Sequence, residues 1–362
     1  MSETAINKVN KTYCASAYLA FRFIKDENMN FFQGLTHKVF VPKPQSELLK
    51  VSSAAEIDRI LQEKINDFLS HPSKNANSNK AALLLSGGID SAILASYLPK
   101  GTPCITFKCI APNAIDETHS AKQYCDMYGL EHHILEIFWE DFVEITPLLL
   151  KYNQVPFHSI EVQLYKATQY VKTLGCDRIL VGDGADYVFG GMDKLLSKDW
   201  DFDEFIKRYN FVEPQEVLNE SVSVREVYEP YALANNKIDF LRFLKDIMDI
   251  ESYTSYMHAF ECANMPYLDP YACMQMAQPL DLARIRNGEP KYLLRELFKA
   301  KYPHIPIPTK IPMPRATEQW LKDYVPKRAE FKENCTKGLS GDQKWLIWCL
   351  EQFFNTFTPK EK

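Results

Sequence analysis

The chain predicts an α/β protein: a doubly wound parallel sheet followed by a mostly helical C-terminal part. Three observations carry this. Short apolar runs alternate with longer stretches of helical periodicity from about residue 81 to residue 181. The first run, Ala81–Leu85, is continuously apolar, as expected of a parallel strand buried on both faces. Beyond about residue 203 the pattern is mostly helical.

The elements follow in order. Ala81–Leu85 reads as a buried strand, and Ser91–Leu98 as the helix after it. Pro103–Cys109 is a second strand and Glu117–Tyr128 a second helix; His132–Phe138 is a third strand. Ile160–Leu174 is a long amphipathic helix, leading to a fourth strand at Arg178–Val181. Upstream, Ile57, Ile60, Leu61, Ile65 and Phe68 recur at helical spacing within Ala54–Leu69. Ser73–Lys80 is polar, rich in Asn and Ser, and reads as a linker or exposed loop. At the N-terminus, Ala15–Phe23 and Lys38–Pro42 read as β-like runs separated by a turn. In the C-terminal part, Phe240–Ile250 and Lys291–Lys301 are helical, and the prolines of Tyr302–Pro314 predict an ordered loop. The expected division is a short β-rich segment (1–53), a main domain (54–330) and a helical extension (331–362).

Composition narrows the class. A net charge of −5 supplies no basic field, so nucleic acid is not an expected partner. No apolar run reaches the roughly 18 residues of a membrane helix. The nine cysteines form no CxxC pair and no zinc spacing, and the N-terminus has no secretory pattern. Reduced thiols and a cytoplasmic location are expected.

The sharpest signal is Leu83–Ser91, LLLSGGIDS. A buried strand ends at Ser86; Gly87 and Gly88 follow, and Asp90 and Ser91 open a helix. Glycines let backbone N–H groups approach phosphate oxygens, and a helix N-terminus adds positive potential. Ser86 and Ser91 offer hydroxyls. Asp90 repels phosphate on its own and is expected to act through Mg²⁺. No lysine follows the glycines, so this is not the Walker loop. The predicted ligand is a nucleotide, held by its pyrophosphate end and cleaved between the α- and β-phosphates.

S-G-G-x-D-S resembles the PP-loop ATP pyrophosphatases, an adenine nucleotide alpha hydrolase-like fold. Val181–Met192, VGDGADYVFGGM, is similar to the G-x-G-[AS]-D-x-x-F-G-G segment of the asparagine synthetase synthetase domain and its lactam-forming relatives. Asp116–Glu117, MPYLDP at Met265–Pro270, KYLLRELF at Lys291–Phe298 and the proline-flanked Lys310 add weaker matches. The resemblance implies an ATP-dependent, amide-forming ligase that adenylates a carboxylate. Asp90 and Asp186 would share Mg²⁺, and Gly182 and Gly184 would bring backbone to the nucleotide. Lys310 would stabilise charge at the α-phosphate, with the proline-rich loop shielding the acyl group from water. Asp183 and Glu251 are candidate bases for the attacking amine. Lys291 and Arg295 are expected as helix-surface or supporting charges, and His132 and His133 as structural residues.

Three departures from the family's pattern shape the expectation. Ser2 stands where glutamine-using members expose a cysteine, and Cys14 is internal. Glutamine hydrolysis is therefore not expected: the acceptor is free ammonia, another amine, or ammonia from a separate amidotransferase. Asp183 replaces the glutamate of asparagine synthetase and the tyrosine of the lactam-forming enzymes, which points to a different acceptor or acid. Asn264 replaces an arginine, which weakens aspartate as the substrate. The rival readings are other PP-loop chemistry, such as RNA modification, and a non-catalytic nucleotide-binding protein.

Overall fold

A computed structural model describes residues 8–71, 80–192, 194–311 and 313–358. Most of the linker expected at Ser73–Lys80 lies outside these residues.

Five strands form one parallel sheet: β1 (Ala81–Leu84), β2 (Pro103–Cys109), β3 (Glu131–Ile137), β4 (Arg178–Leu180) and β5 (Tyr267–Leu268). The spatial order is β5-β4-β1-β2-β3. The register runs Leu83 opposite Cys104 on one side of β1, and Leu83 opposite Leu180 on the other. Successive strand residues enter opposite cores. Ala82 and Ile179 join one hydrophobic cluster, and Leu83 and Leu180 join the other. That two-sided burial explains why the strands are legible as continuous apolar runs. The order reverses between β1 and β4, so a crevice opens at their C-terminal ends, where ligands bind in folds of this kind.

Helices α2 (Ala54–Ser70), α3 (Ile89–Ala95), α4 (Thr118–Tyr128) and α9 (Tyr292–Lys301) contribute to the core on one face. Helices α1 (Lys11–Phe21), α5 (Trp139–Asn153), α6 (Ile160–Thr173), α8 (Asp249–Cys262) and α10 (Gly341–Phe357) contribute to the core on the other. A short helix, α7 (Ala185–Val188), follows β4. Buried Arg178 ties β4 to the end of α2, donating to the Phe68 carbonyl oxygen at 2.7 Å and also to that of His71. A cation placed there complements the carbonyl end of that helix.

The N-terminal expectation is corrected. Ala15–Phe23 lies largely in helix α1, not in a strand. Every residue from Cys14 to Phe21 is buried, so the amphipathic stripe that would mark a helix is missing. Asn10 caps the start by accepting from the Tyr13 N–H at 2.9 Å. Lys38–Pro42 forms no strand either. The Phe40 N–H donates to Thr254 Oγ1 at 3.0 Å, and the Lys38 carbonyl meets His258 Nε2 at 2.9 Å. Side chains of α8 thus satisfy a backbone that has no ladder.

The C-terminal stretch is not an extension. Helix α10 is core, and Trp345 packs against Phe142 and Phe157 with its ring N–H on the Phe157 carbonyl at 3.1 Å. Trp345→Ala is expected to cost about 3–5 kcal/mol in a urea melt, the range for emptying a large aromatic site. A loss below about 1 kcal/mol would show that α10 only overlays the core. The run expected as one helix at Phe240–Ile250 starts as Phe240–Phe243, passes through a π-helical segment at Leu244–Met248 and continues into α8.

Candidate functional site

The turn after β1 is braced by its own hydroxyls. Ser91 Oγ accepts from the Ser86 N–H at 3.0 Å and lies 3.0 Å from Ser86 Oγ, which accepts from the Gly88 N–H at 3.1 Å. Ser86, Gly88, Asp90 and Ser91 line a cleft of about 730 Å³ at the β1/β4 crevice. Gly88 opens α3 without a side-chain cap. Gly87 stands between Ser86 and Gly88 and is packed against α4. A Cβ on Gly87 would stand 3.2 Å from Ser120 Cβ and 3.3 Å from Glu117 Cβ, so this glycine lets the turn seat against α4. Tyr124 donates its hydroxyl to the Gly87 carbonyl at 3.0 Å.

Glu117 lies in the same wall, and burial pushes its carboxyl up to about 7 against a lowering contribution from the Gly87 N–H. Between the ordinary value of 4.5 and about 7, the folded chain holds a proton that the unfolded chain has lost. Stability from this group therefore falls as pH rises through that window and is flat above it. Glu117→Gln should gain on the order of 3 kcal/mol at pH 8 and little at pH 4. Urea melts at the two pH values check it; equal gains at both would contradict the burial argument.

The turn after β4 brings the second acid. Asp186 opens α7, and Lys291 Nζ sits 2.5 Å from Asp90 Oδ2 and 2.6 Å from Asp186 Oδ1. The two acids therefore meet at one cation. Lys310 Nζ lies 2.6 Å from Asp186 Oδ1 and 2.6 Å from the Gly191 carbonyl oxygen. Burial pushes the Asp90 carboxyl up. Asp186 is half-buried, and although desolvation raises it, Lys291 and Lys310 hold it below its usual range. Asp90 Oδ1 is buried and has no hydrogen-bond partner.

Of the two expectations for Lys291, the structure favours a supporting charge over a helix-surface one. A lysine at the start of a periodic helix looks like a surface charge. Here it precedes α9 with φ of +54°, in the left-handed region, and its side chain is buried. The local backbone turns it inward rather than along the helix surface, and no periodicity reveals that. Arg295, one turn on, lines the cleft.

Asp183 lines the cleft and accepts from Ser252 Oγ at 2.7 Å. Burial, and then the charge of Asp269, push its carboxyl well up. Asp269 accepts from the Gly184 N–H at 2.6 Å and the Tyr271 N–H at 3.1 Å. Burial still raises Asp269 to about 7. Gly184 does not face the cleft: a Cβ there would sit 2.8 Å from Tyr253 Oη and 3.0 Å from the Ala272 nitrogen. Gly182 does line it, and it also leaves room for Leu94 and Tyr271, whose hydroxyl donates to the Asp90 carbonyl at 2.9 Å.

Glu251 is held away from the cleft. It is buried against Arg22 at 2.9 Å, and its neighbour Ser252 reaches Asp183 instead. Asn264 also leaves the substrate question. It follows α8 with φ of +49°, a conformation that suits asparagine, and its side chain is exposed.

The strand order and the two acid-bearing turns define a doubly wound α/β fold whose crevice lies at the β1/β4 switch point. Residues 76–236 match the model of the asparagine synthase family, a stretch that runs from β1 through β4 and the turns after them. Rice asparagine synthetase [glutamine-hydrolyzing] 2 is 26% identical over 123 residues, 30% of this chain and 21% of its own length. Arabidopsis thaliana asparagine synthetase [glutamine-hydrolyzing] 3 is 27% identical over 123 residues, with the same shares. The chain thus spans about a fifth of the length of these relatives. Among solved structures, an NH3-dependent NAD synthetase from Campylobacter jejuni aligns at 17% identity with a TM-score of 0.30. It covers 56% of this chain and 96% of its own. An NMN synthetase from Francisella tularensis aligns at 16% with a TM-score of 0.28, covering 70% and 94%. These superpositions are loose, and the fold rests on the strand order itself. No helix among the described residues is long and apolar enough to cross a membrane.

Proposed function

We propose that this chain is an ATP-dependent carbon–nitrogen ligase. It adenylates a carboxylate with release of pyrophosphate, then passes the acyl group to ammonia or an amine. One observation supports it above the rest: Asp90 and Asp186, from the turns after neighbouring strands, converge on one cation beside a glycine turn and Lys310. The asparagine synthase match supports the reaction class.

The residues fit Mg²⁺. Asp90 Oδ1 is an orphaned buried acceptor, and Asp90 and Asp186 already meet at one positive charge. Among the described residues no group of three metal-ligating side chains converges, so phosphate oxygens and water would complete the shell. Bound there, Mg²⁺ would neutralise charge on the departing pyrophosphate.

The chain's own groups then have distinct tasks. Ser86, Ser91 and the Gly88 N–H exchange their mutual hydrogen bonds for phosphate oxygens. Lys310 offsets charge that develops at the α-phosphorus as the carboxylate oxygen attacks. When the amine attacks the acyl-adenylate, its nitrogen loses a proton, and Asp183 is the acceptor beside the cleft. Burial makes it a stronger base than a free aspartate. Positioning of the reactants in the cleft supplies much of the remainder. Aspartate with ammonia is the default pair; a separate amidotransferase is one source of that ammonia.

The test is isotope transfer. The chain is incubated with ATP, Mg²⁺, a panel of ¹⁸O-labelled carboxylates, and ammonium or amines. One ¹⁸O should appear in AMP for each amide formed. ATP binding without turnover across the panel, or turnover that depends on RNA, would sink the ligase reading.

A further inference from the structure

The geometry points to Lys291 as a resident cation: its ammonium holds Asp90 and Asp186 together and gives up that place when a divalent ion arrives on the nucleotide. This rests on the metal role given to the two acids above.

Lys291 Nζ lies 2.5 Å from Asp90 Oδ2 and 2.6 Å from Asp186 Oδ1, so its charge occupies the position between the carboxylates. A divalent ion bridging the same oxygens cannot share that position. The surroundings are built around the lysine. A Cβ on Gly191 would fall 2.1 Å from Lys291 Cε, so the absence of a side chain there makes room for the stem. Lys291 also precedes α9 rather than lying within it, and its four-carbon stem can swing while the helix stays in place.

Charge then sets the order of binding. Asp90 and Asp186 carry two negative charges, and Lys291 and Lys310 carry two positive ones. The nucleotide-free cluster is therefore balanced. A bare divalent ion would leave an excess of positive charge in a partly desolvated cleft, with the displaced ammonium lacking a partner. A triphosphate removes both penalties, since its oxygens ligate the ion and accept the ammonium. Lys291 is thus a positioning residue before ATP binds and a phosphate ligand afterwards. Metal and nucleotide should bind with strong positive coupling.

The test reads metal binding, not turnover. Mn²⁺ is titrated into the full chain and free Mn²⁺ is followed by electron paramagnetic resonance, with and without α,β-methylene-ATP. The wild type should bind Mn²⁺ at least about tenfold more tightly with the analogue, within the usual range of coupling between sites. Lys291→Met should tighten Mn²⁺ binding about tenfold without the analogue and reduce the coupling. Equal wild-type affinity in the two conditions would overturn the proposal, as would a folded Lys291→Met with unchanged nucleotide-free affinity. Should that variant fail to fold, Lys291→Gln and the wild-type comparison decide the matter. No Mn²⁺ retained even with the analogue would instead remove the metal role of Asp90 and Asp186.

Discussion

Asp90→Asn is expected to lower ATP–pyrophosphate exchange by about 10²- to 10³-fold, the size of losing one preorganised electrostatic contact. Asp186→Asn should do the same. The double variant should be little worse than either single one, because the two acids serve one ion and their losses do not add. The structural reason is their convergence. Asp90 Oδ2 and Asp186 Oδ1 both meet Lys291, and Asp90 Oδ1 is left without a partner. Each single variant also leaves two lysines facing one acid in a buried cluster. A thermal melt on each variant separates a folding loss from a catalytic one. Folded single variants that keep exchange within about tenfold of wild type would remove the shared-ion site. Losses that multiply in the double variant would mean that the two acids act independently.

Gly191→Ala is the second large effect. The added Cβ would lie 1.9 Å from Asp186 Oδ1, 2.1 Å from Lys291 Cε and 2.9 Å from Asp186 Cα. The first two atoms belong to side chains, but the third is backbone and cannot rotate away. Overpacking of this kind costs about 1–3 kcal/mol or more, and here it also drives Asp186 off its position. Both melting temperature and exchange should fall, with exchange approaching that of Asp186→Asn. Gly88→Ala is the contrasting case for stability, because its Cβ would meet only Ser86 Oγ, at 3.3 Å. Similar stability losses in the two variants would contradict the steric account.

The parts of the site that read directly from the sequence share one property: neighbours along the chain set their conformation. The turn after β1 is legible because a strand buried on both faces must end, two glycines follow, and Asp90 and Ser91 begin a helix. The turn carrying Asp183 and Asp186 is legible instead through the resemblance of Val181–Met192 to the asparagine synthetase segment. The misread parts depend on distant contacts. Ala15–Phe23 looks like a strand because full burial erases the amphipathic period of α1. Helix α5 gives a weak signal because Pro147 stands inside it. Strand β5 has two residues and pairs with β4 only through tertiary packing. Glu251 looks like a catalytic acid until Arg22, some 229 positions away along the chain, claims its carboxylate.

Residue chemistry in short windows predicted four strands of the parallel sheet and the glycine turn with Asp90, and a family resemblance pointed to Asp186. Strand burial and glycine turns are local constraints that any fold of this chain must satisfy. Tertiary structure alone decided that those acids meet at Lys291, that Gly87 and Gly184 lie close against neighbouring side chains, and that Glu251 pairs with Arg22. Electrostatic partners are chosen by distance in space. A chain that returns from residue 291 to residues 90 and 186 sets those distances only when its sheet and helices have closed around them.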